Sequence, residues 1–428
     1  QSVALHPEGH SLVAVVRGKP FTFGNWEGAV LQHGDPGAVR YRLADWLPDG
    51  RRIVVVSDAA SEEMLEVHPV TSGNGQVAPR TDVAEVQSGT GSSTPVFEEP
   101  VRLDGLNIGR PRSLAASPRA PLVAIANQRN ELLLIDLKER TLRMLDRSRY
   151  APMLGIAWSP DGRWLAYGFM ETAQTSVIKL CDVTTGQVTP VTRPVLIDRS
   201  PAFDPEGKYL YFISYRDFDP VRDDIHFELG FPRGARPFLV TLRADLRSPF
   251  VPGPHPLEQP KPKPASDQAP SGQEEAGAAK EASPEKSVVI DLEGIADRIV
   301  AFPVPVGRYG QIAGIPGKAL FTVFPIEGML SQAQVSGNAS ASRGRLEVYD
   351  FETLSSDTLI DGVSRFALSR DAKTLLYRSA NRVRVVRAGE KPRDNSSEPG
   401  RKSRWVDLAR IKLLVSPPAE WRQMYREA

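Results

Sequence analysis

The chain is poor in the residues that build metal and redox chemistry. Its 428 residues include one cysteine, Cys181, and six histidines. A single cysteine excludes an intrachain disulfide and a zinc–thiolate cluster, and it fits a reducing compartment, the cytoplasm. None of His6, His10, His33, His68, His226 and His255 has a partner at metal-ligand spacing. They read as turn and surface residues. No G-x-S-x-G run supplies a serine nucleophile. Gly73-Asn74-Gly75 and Gly89-Thr90-Gly91 lack the strand-to-helix setting of a phosphate cradle. Asp217, Asp219, Asp223 and Asp224 lack the spacing and closing glutamate of a calcium loop. Cys181 lies in an apolar run and reads as core. Charge of one sign is also missing: 53 basic residues stand against 52 acidic ones, which argues against a nucleic-acid partner or a polybasic membrane anchor. No apolar run approaches the roughly 18 residues that span a bilayer. These absences describe a non-catalytic segment with no cofactor and no metal.

What the chain does have is a repeat. A turn of proline, an acidic residue and glycine is followed three positions later by an aliphatic residue. It occurs as His6-Pro7-Glu8-Gly9 with Leu12, Leu47-Pro48-Asp49-Gly50 with Ile53, Ser159-Pro160-Asp161-Gly162 with Leu165, and Asp204-Pro205-Glu206-Gly207 with Leu210. Degenerate copies are Ser117-Pro118-Arg119-Ala120 with Val123, Pro316-Gly317 with Leu320, and Ser369-Arg370-Asp371-Ala372 with Leu375. Proline presets φ, the acidic residue favours the turn, and glycine takes the positive-φ position. Strand-like runs follow, such as Ile53-Val54-Val55-Val56 and Leu210-Tyr211-Phe212. Seven copies, about 40 to 45 residues apart where nothing intervenes, predict an all-β, seven-bladed β-propeller of four-stranded antiparallel blades.

Two insertions break the period. Residues 72–98 are rich in Gly, Ser, Thr and Pro and read as a long loop. Residues 252–286 carry Pro, Ala, Glu and Lys with almost no large apolar side chains, too little to offset ordering entropy, and read as disordered. The blade pattern resumes at Val288, so the second is an insertion within a blade. The polar stretch from Ala388 to Lys402 reads like it. The last blade runs out over Trp405 to Val415 with no evident return to the N-terminus, so a shared closing strand is left open. Residues 1–415 are thus predicted as propeller. From Ser416 a capped helix begins, with Trp421, Met424, Tyr425 and Ala428 on one face; residues 416–428 read as the start of a further, helical domain. Gln1 stands where a methionine would, so a signal peptide is not excluded.

One regularity is a candidate site. Six positions before the turn proline, where the innermost strand should begin, stand Arg42, Arg112 and Arg199, and Arg365 is one position off this register. Two readings stay open: a cationic ring at one channel mouth that attracts peptide carboxylates, or ordinary ion pairing between blades.

Several more specific runs resemble tricorn proteases and their bacterial homologues. They are Arg17-Gly18-Lys19-Pro20-Phe21, Trp26-Glu27-Gly28-Ala29, Gln32-His33-Gly34, Arg40-Tyr41-Arg42-Leu43-Ala44, Phe218-Asp219-Pro220, Phe231-Pro232-Arg233-Gly234, Asp291-Leu292-Glu293-Gly294-Ile295 with Arg298, and Phe302-Pro303-Val304. The likeness is to the second, seven-bladed propeller of that family. It implies a non-catalytic, substrate-gating propeller of a self-compartmentalising serine peptidase that degrades oligopeptides. The catalytic residues would lie in downstream domains of the same polypeptide, peptide substrates would pass through an open central channel, and the whole would form a homo-oligomer. Alternatives are a stand-alone TolB- or WD40-like protein-binding propeller, or the propeller of a prolyl-oligopeptidase relative.

Overall fold

The computed structural model describes residues 3–37, 39–59, 62–70, 99–217, 219–222, 229–230, 234–251, 287–326, 344–393, 396–414 and 417–427. The stretches expected to be a long loop (72–98) and a disordered insertion (252–286), and the cap Ser416, lie outside these residues.

Every turn of the repeat joins the first two strands of an antiparallel sheet, and there are seven such sheets. Blade 1 consists of Val3–Leu5, Ser11–Val16, Lys19–Gly24 and Val30–Gln32; blade 2 of Tyr41–Trp46, Arg52–Ser57, Met64–Pro69 and Val101–Leu103. Blade 3 runs through Pro111–Ala116, Leu122–Asn127, Glu131–Asp136 and Thr141–Arg147. Blade 4 is built of Ile156–Trp158, Trp164–Met170, Ser176–Asp182 and Val188–Pro190. Blade 5 comprises Asp198–Phe203, Tyr209–Ser214, Arg236–Thr241 and Ile299–Ala301, with a small Val221–Arg222/Leu229–Gly230 hairpin beside it. Blade 6 has Arg308–Ile315, Lys318–Phe324, Arg345–Asp350 and Ser355–Asp361, and blade 7 has Arg365–Leu368, Thr374–Ser379 and Arg382–Arg387. The insertion at 252–286 therefore falls between the third and fourth strands of blade 5, and residues 72–98 fall at the same place in blade 2.

The degenerate turns keep their shape by other means. Ser117 Oγ accepts the backbone N–H groups of Arg119 and Ala120, and Ser369 Oγ accepts that of Thr374, so a side-chain cap holds each turn. Ala372 takes the positive φ, 54°, that glycine takes elsewhere. Second strands are buried on both faces, since each blade is sandwiched between two others. Ile53 to Val56 and Leu210 to Ile213 are fully enclosed, which is why they read as unbroken apolar runs and not as alternating ones.

The ring closes without a shared strand among the described residues. Blade 1 is complete from its own residues. Blade 7 receives its fourth edge from the chain that follows: Arg384 bridges Trp405, the Val385 N–H donates to Arg404 O at 3.0 Å, and the Val406 N–H donates to Val383 O at 2.9 Å. The Ala388–Lys402 stretch, expected to be disordered, is described except at 394–395 and supplies the turns that bring this edge back. Across the seam Leu5, Leu12, Phe21 and Phe23 pack on Leu376, Val383, Val385 and Val406. Each such side chain is worth about 1.5–3 kcal/mol when fully buried. Arg410 donates to Gly24 O at 3.2 Å and to Gly28 O at 2.6 Å, and Arg401 pairs with Glu27 at 2.8 Å. Beyond the seam, the helix Pro417–Glu427 exposes Trp421, Met424 and Tyr425. No described helix is long and apolar enough to cross a membrane.

Ala380 sits exposed in the tight turn of blade 7 with φ 51°. The left-handed conformation costs a non-glycine residue about 1–2 kcal/mol, part of which glycine gives back as chain entropy. Ala380→Gly is therefore expected to raise unfolding free energy by about 0.5–1 kcal/mol. Urea denaturation checks this, and a loss of stability would contradict it.

Candidate functional site

All inner strands run in one sense, so their first residues surround one mouth of the central channel and the proline turns surround the other. Arg42, Arg112 and Arg199 are the second residues of the inner strands of blades 2, 3 and 5, and Arg365 is the first of blade 7. They share the mouth but not one environment. Arg42 and Arg199 each stand just before a β-bulge, with Leu43 at φ 51° and Ser200 at φ 54°. A bulge re-aims the neighbouring side chain, and here it turns both toward the next blade. Arg42 donates to Glu63 and to Pro111 O at 2.8 Å. Arg199 donates to Tyr309 O at 2.9 Å and to the Tyr215 hydroxyl at 3.1 Å, and its guanidinium lies 5.5 Å from that ring's centre. These two tie blade 2 to 3 and blade 5 to 6. Arg112 and Arg365 are exposed.

The sequence pattern missed Arg308, the first residue of the inner strand of blade 6, exposed at the same mouth and bonded to Pro325 O at 3.0 Å. Its turn proline follows at a different offset, so counting back from Pro316 passes it by. Acidic groups at the mouth are partly committed. Glu63 faces Arg42, and Asp198 pairs with Arg216 at 2.7 Å. A cleft of about 610 Å³ opens here between blades 2 and 3, lined among others by Arg40, Arg42, Glu62, Glu63, Arg110 and Arg129.

At the opposite end a side chain reaches from one blade to two others. Arg370, in the turn of blade 7, donates from its guanidinium to Trp46 O of blade 2 at 3.1 Å and to Pro118 O of blade 3 at 3.3 Å. Its backbone N–H donates to Pro7 O of blade 1 at 3.0 Å.

Cys181, the one thiol of the chain, is not placed as a nucleophile. Cys181 is buried, and burial first, with the charges of Asp182 and Asp146 adding to it, pushes its thiol up to about 11. His6, Glu8 and His10 approach one another closely enough for a metal, their ligand atoms lying within 4.8 Å. However, His6 Nδ1 accepts the Glu8 N–H at 3.1 Å and Nε2 faces Gly50 O at 2.9 Å, so neither ring nitrogen is left for an ion. Of the acidic group considered for calcium, Asp217 is paired with Arg236 at 3.0 Å, and Asp223 and Asp224 lie outside the described residues, as do His226 and His255. The histidines also correct the sequence reading. His6, His33 and His68 are buried, not on the surface, because the adjoining blade covers the hairpins that carry them. His68 Nε2 meets Glu66 Oε2 at 3.0 Å, Ser57 Oγ donates to Glu66 Oε1 at 2.6 Å, and His33 Nε2 lies 2.6 Å from Thr22 Oγ1.

A family model for the second β-propeller domain of tricorn protease matches residues 90–389. A tricorn protease homologue of Saccharolobus solfataricus is 33% identical over 98% of this chain and 33% of its own length. Tricorn protease homologue 1 of Streptomyces coelicolor is 33% identical over 92% of this chain and 34% of its own. The chain thus spans about a third of the length of these relatives. The crystal structure of the tricorn protease superposes with a TM-score of 0.72 at 20% identity, covering 100% of this chain and 37% of that one.

Buried His33 sets an acid limit on the fold. Burial, reinforced by the neighbouring His68, holds His33 down at about 4 against an ordinary 6.5. The unfolded chain therefore binds the proton first, so stability falls as pH drops from 6.5 toward 4, by about 3 kcal/mol in full. Denaturation midpoints at pH 7.5 and 4.5 should converge in His33→Gln relative to wild type; parallel pH dependences would contradict the assignment.

Proposed function

The chain belongs to the tricorn protease family, as its second β-propeller, and from that premise we propose that it is the non-catalytic gate of a peptidase. Extended oligopeptides enter by the channel, and folded proteins are excluded by its width. Hydrolysis takes place in downstream catalytic domains of the same polypeptide, with the helix Pro417–Glu427 leading into them after a propeller that ends near residue 415. The assembly is a cytoplasmic homo-oligomer of the serine-peptidase kind. The observation that carries the reading is the convergence of Arg42, Arg112, Arg199 and Arg365 on the starts of inner strands. Two of the four, Arg42 and Arg199, also serve as ties between blades. Arg112 and Arg365 present the free charge, and Arg308 adds to it. Guanidinium groups bind carboxylates through charge-assisted hydrogen bonds, and a cationic mouth raises the capture rate of acidic chains. A stand-alone TolB- or WD40-like binding propeller has less support, because relatives matched over nearly the whole chain are tricorn homologues.

The test reverses the exposed charges in the protein that carries the catalytic domains. Arg112→Glu with Arg365→Glu is expected to slow hydrolysis of an acidic peptide by about tenfold, while a basic peptide of equal length is cleaved no more slowly. Equal losses for both peptides would contradict capture by charge.

A further inference from the structure

In six blades the turn between the first two strands carries a proline, and in blade 7 its place is taken by Arg370. Proline has a short, closed side chain and leaves the channel axis clear. Arginine does not. The Arg370 guanidinium bonds a carbonyl of blade 2 and one of blade 3. On a seven-membered ring blade 3 stands almost opposite blade 7, so the contact must run through the lumen. At this end the opening is therefore no wider than one arginine side chain and its hydrogen bond. An extended chain needs about 5 Å in one direction and about 10 Å in the other, the spacings of strands and of packed sheets. It cannot pass with the side chain in place.

We propose that Arg370 is the selectivity-determining residue of the channel, a latch across its turn-side end that a peptide must displace. The inference rests on the channel being the route for peptides. The bonding favours displacement over permanent closure. Both acceptors of the guanidinium are neutral backbone carbonyls, and an entering peptide brings carbonyls of the same kind and carboxylates that bind more strongly. The latch can exchange partners without a buried donor left bare, which would otherwise cost about 1–3 kcal/mol. Burial works against the cation, with Asp45 and Asp49 on the favourable side and Arg119 on the unfavourable one, so an arriving anion meets an under-compensated charge. A chain too wide for the opening left when the side chain swings aside gains no such exchange and is held out.

The experiment compares hydrolysis of a linear peptide and of its side-chain-cyclised, wider counterpart by the protein with its catalytic domains. Wild type is expected to cleave the linear form and to leave the cyclic form intact. Arg370→Ala should raise the linear rate about three- to tenfold and admit the cyclic peptide. Arg370→Lys, which keeps the charge but loses the two-carbonyl fork, should fall between them; it also serves if the alanine variant does not fold, as judged by thermal unfolding. Arg365→Trp narrows the opposite mouth and reports separately on the route. If Arg365→Trp slows the linear peptide while a folded position-370 variant behaves as wild type, the channel is the route and the latch is refuted. If neither position matters, the channel is not the route, and the latch falls with that reading.

Discussion

The contact on which the remaining structure depends is the seam between the first blade and the last. At every other junction in the ring the covalent chain passes from the outer strand of one blade to the inner strand of the next. At the seam it does not, and no strand is shared among the described residues. Closure is left to Leu5, Leu12, Phe21 and Phe23 against Leu376, Val383, Val385 and Val406, and to clasps such as Arg410 on the carbonyls of Gly24 and Gly28. The dimensions of the channel follow from this packing. So does the position of Arg370, whose backbone N–H is fixed to Pro7 across the same seam.

The two ends of the channel use arginine differently. At the strand-start mouth Arg112 and Arg365 stay in solvent, where their charge acts at a distance and salt weakens it. At the turn end Arg370 is held at short range by oriented carbonyls. On the proposed reading as a peptide gate, long-range attraction at one end and short-range exchange at the other suit passage of a chain. Arg42 and Arg199 belong to a third category. Their bulges aim them at the next blade, so they stiffen the mouth more than they charge it.

The fold was legible because its signal is local. A turn of four residues and an aliphatic residue three places on occupy one hairpin, and the copies that lost glycine or proline kept Ser117 and Ser369 to cap the turn. The edge of blade 7 was legible only in part: the last blade was expected to run out over Trp405 to Val415, but not the way the chain returns to it. Trp405 pairs with Arg384 across a polar stretch whose composition gives no hint of return. His33 and His68 could not be placed inside from their own neighbours, because the burying surface is contributed by the adjoining blade. The position of Arg112 and Arg365 at inner-strand starts was readable for the same local reason as the turns, since register sets it. The meaning of Arg370 was hidden in what looked like a degraded turn, as its acceptors lie 252 and 324 residues away in sequence.

The central claim is that a peptide travels along the axis of this ring. The most direct measurement is photocrosslinking of a slowly cleaved peptide with a diazirine at mid-chain to the protein carrying its catalytic domains, followed by mapping of the adducts. The account predicts adducts on inner-strand and turn residues, from the neighbourhood of Arg112 and Arg365 to that of Arg370. Adducts confined to outer strands or to the rim of the blades would contradict it.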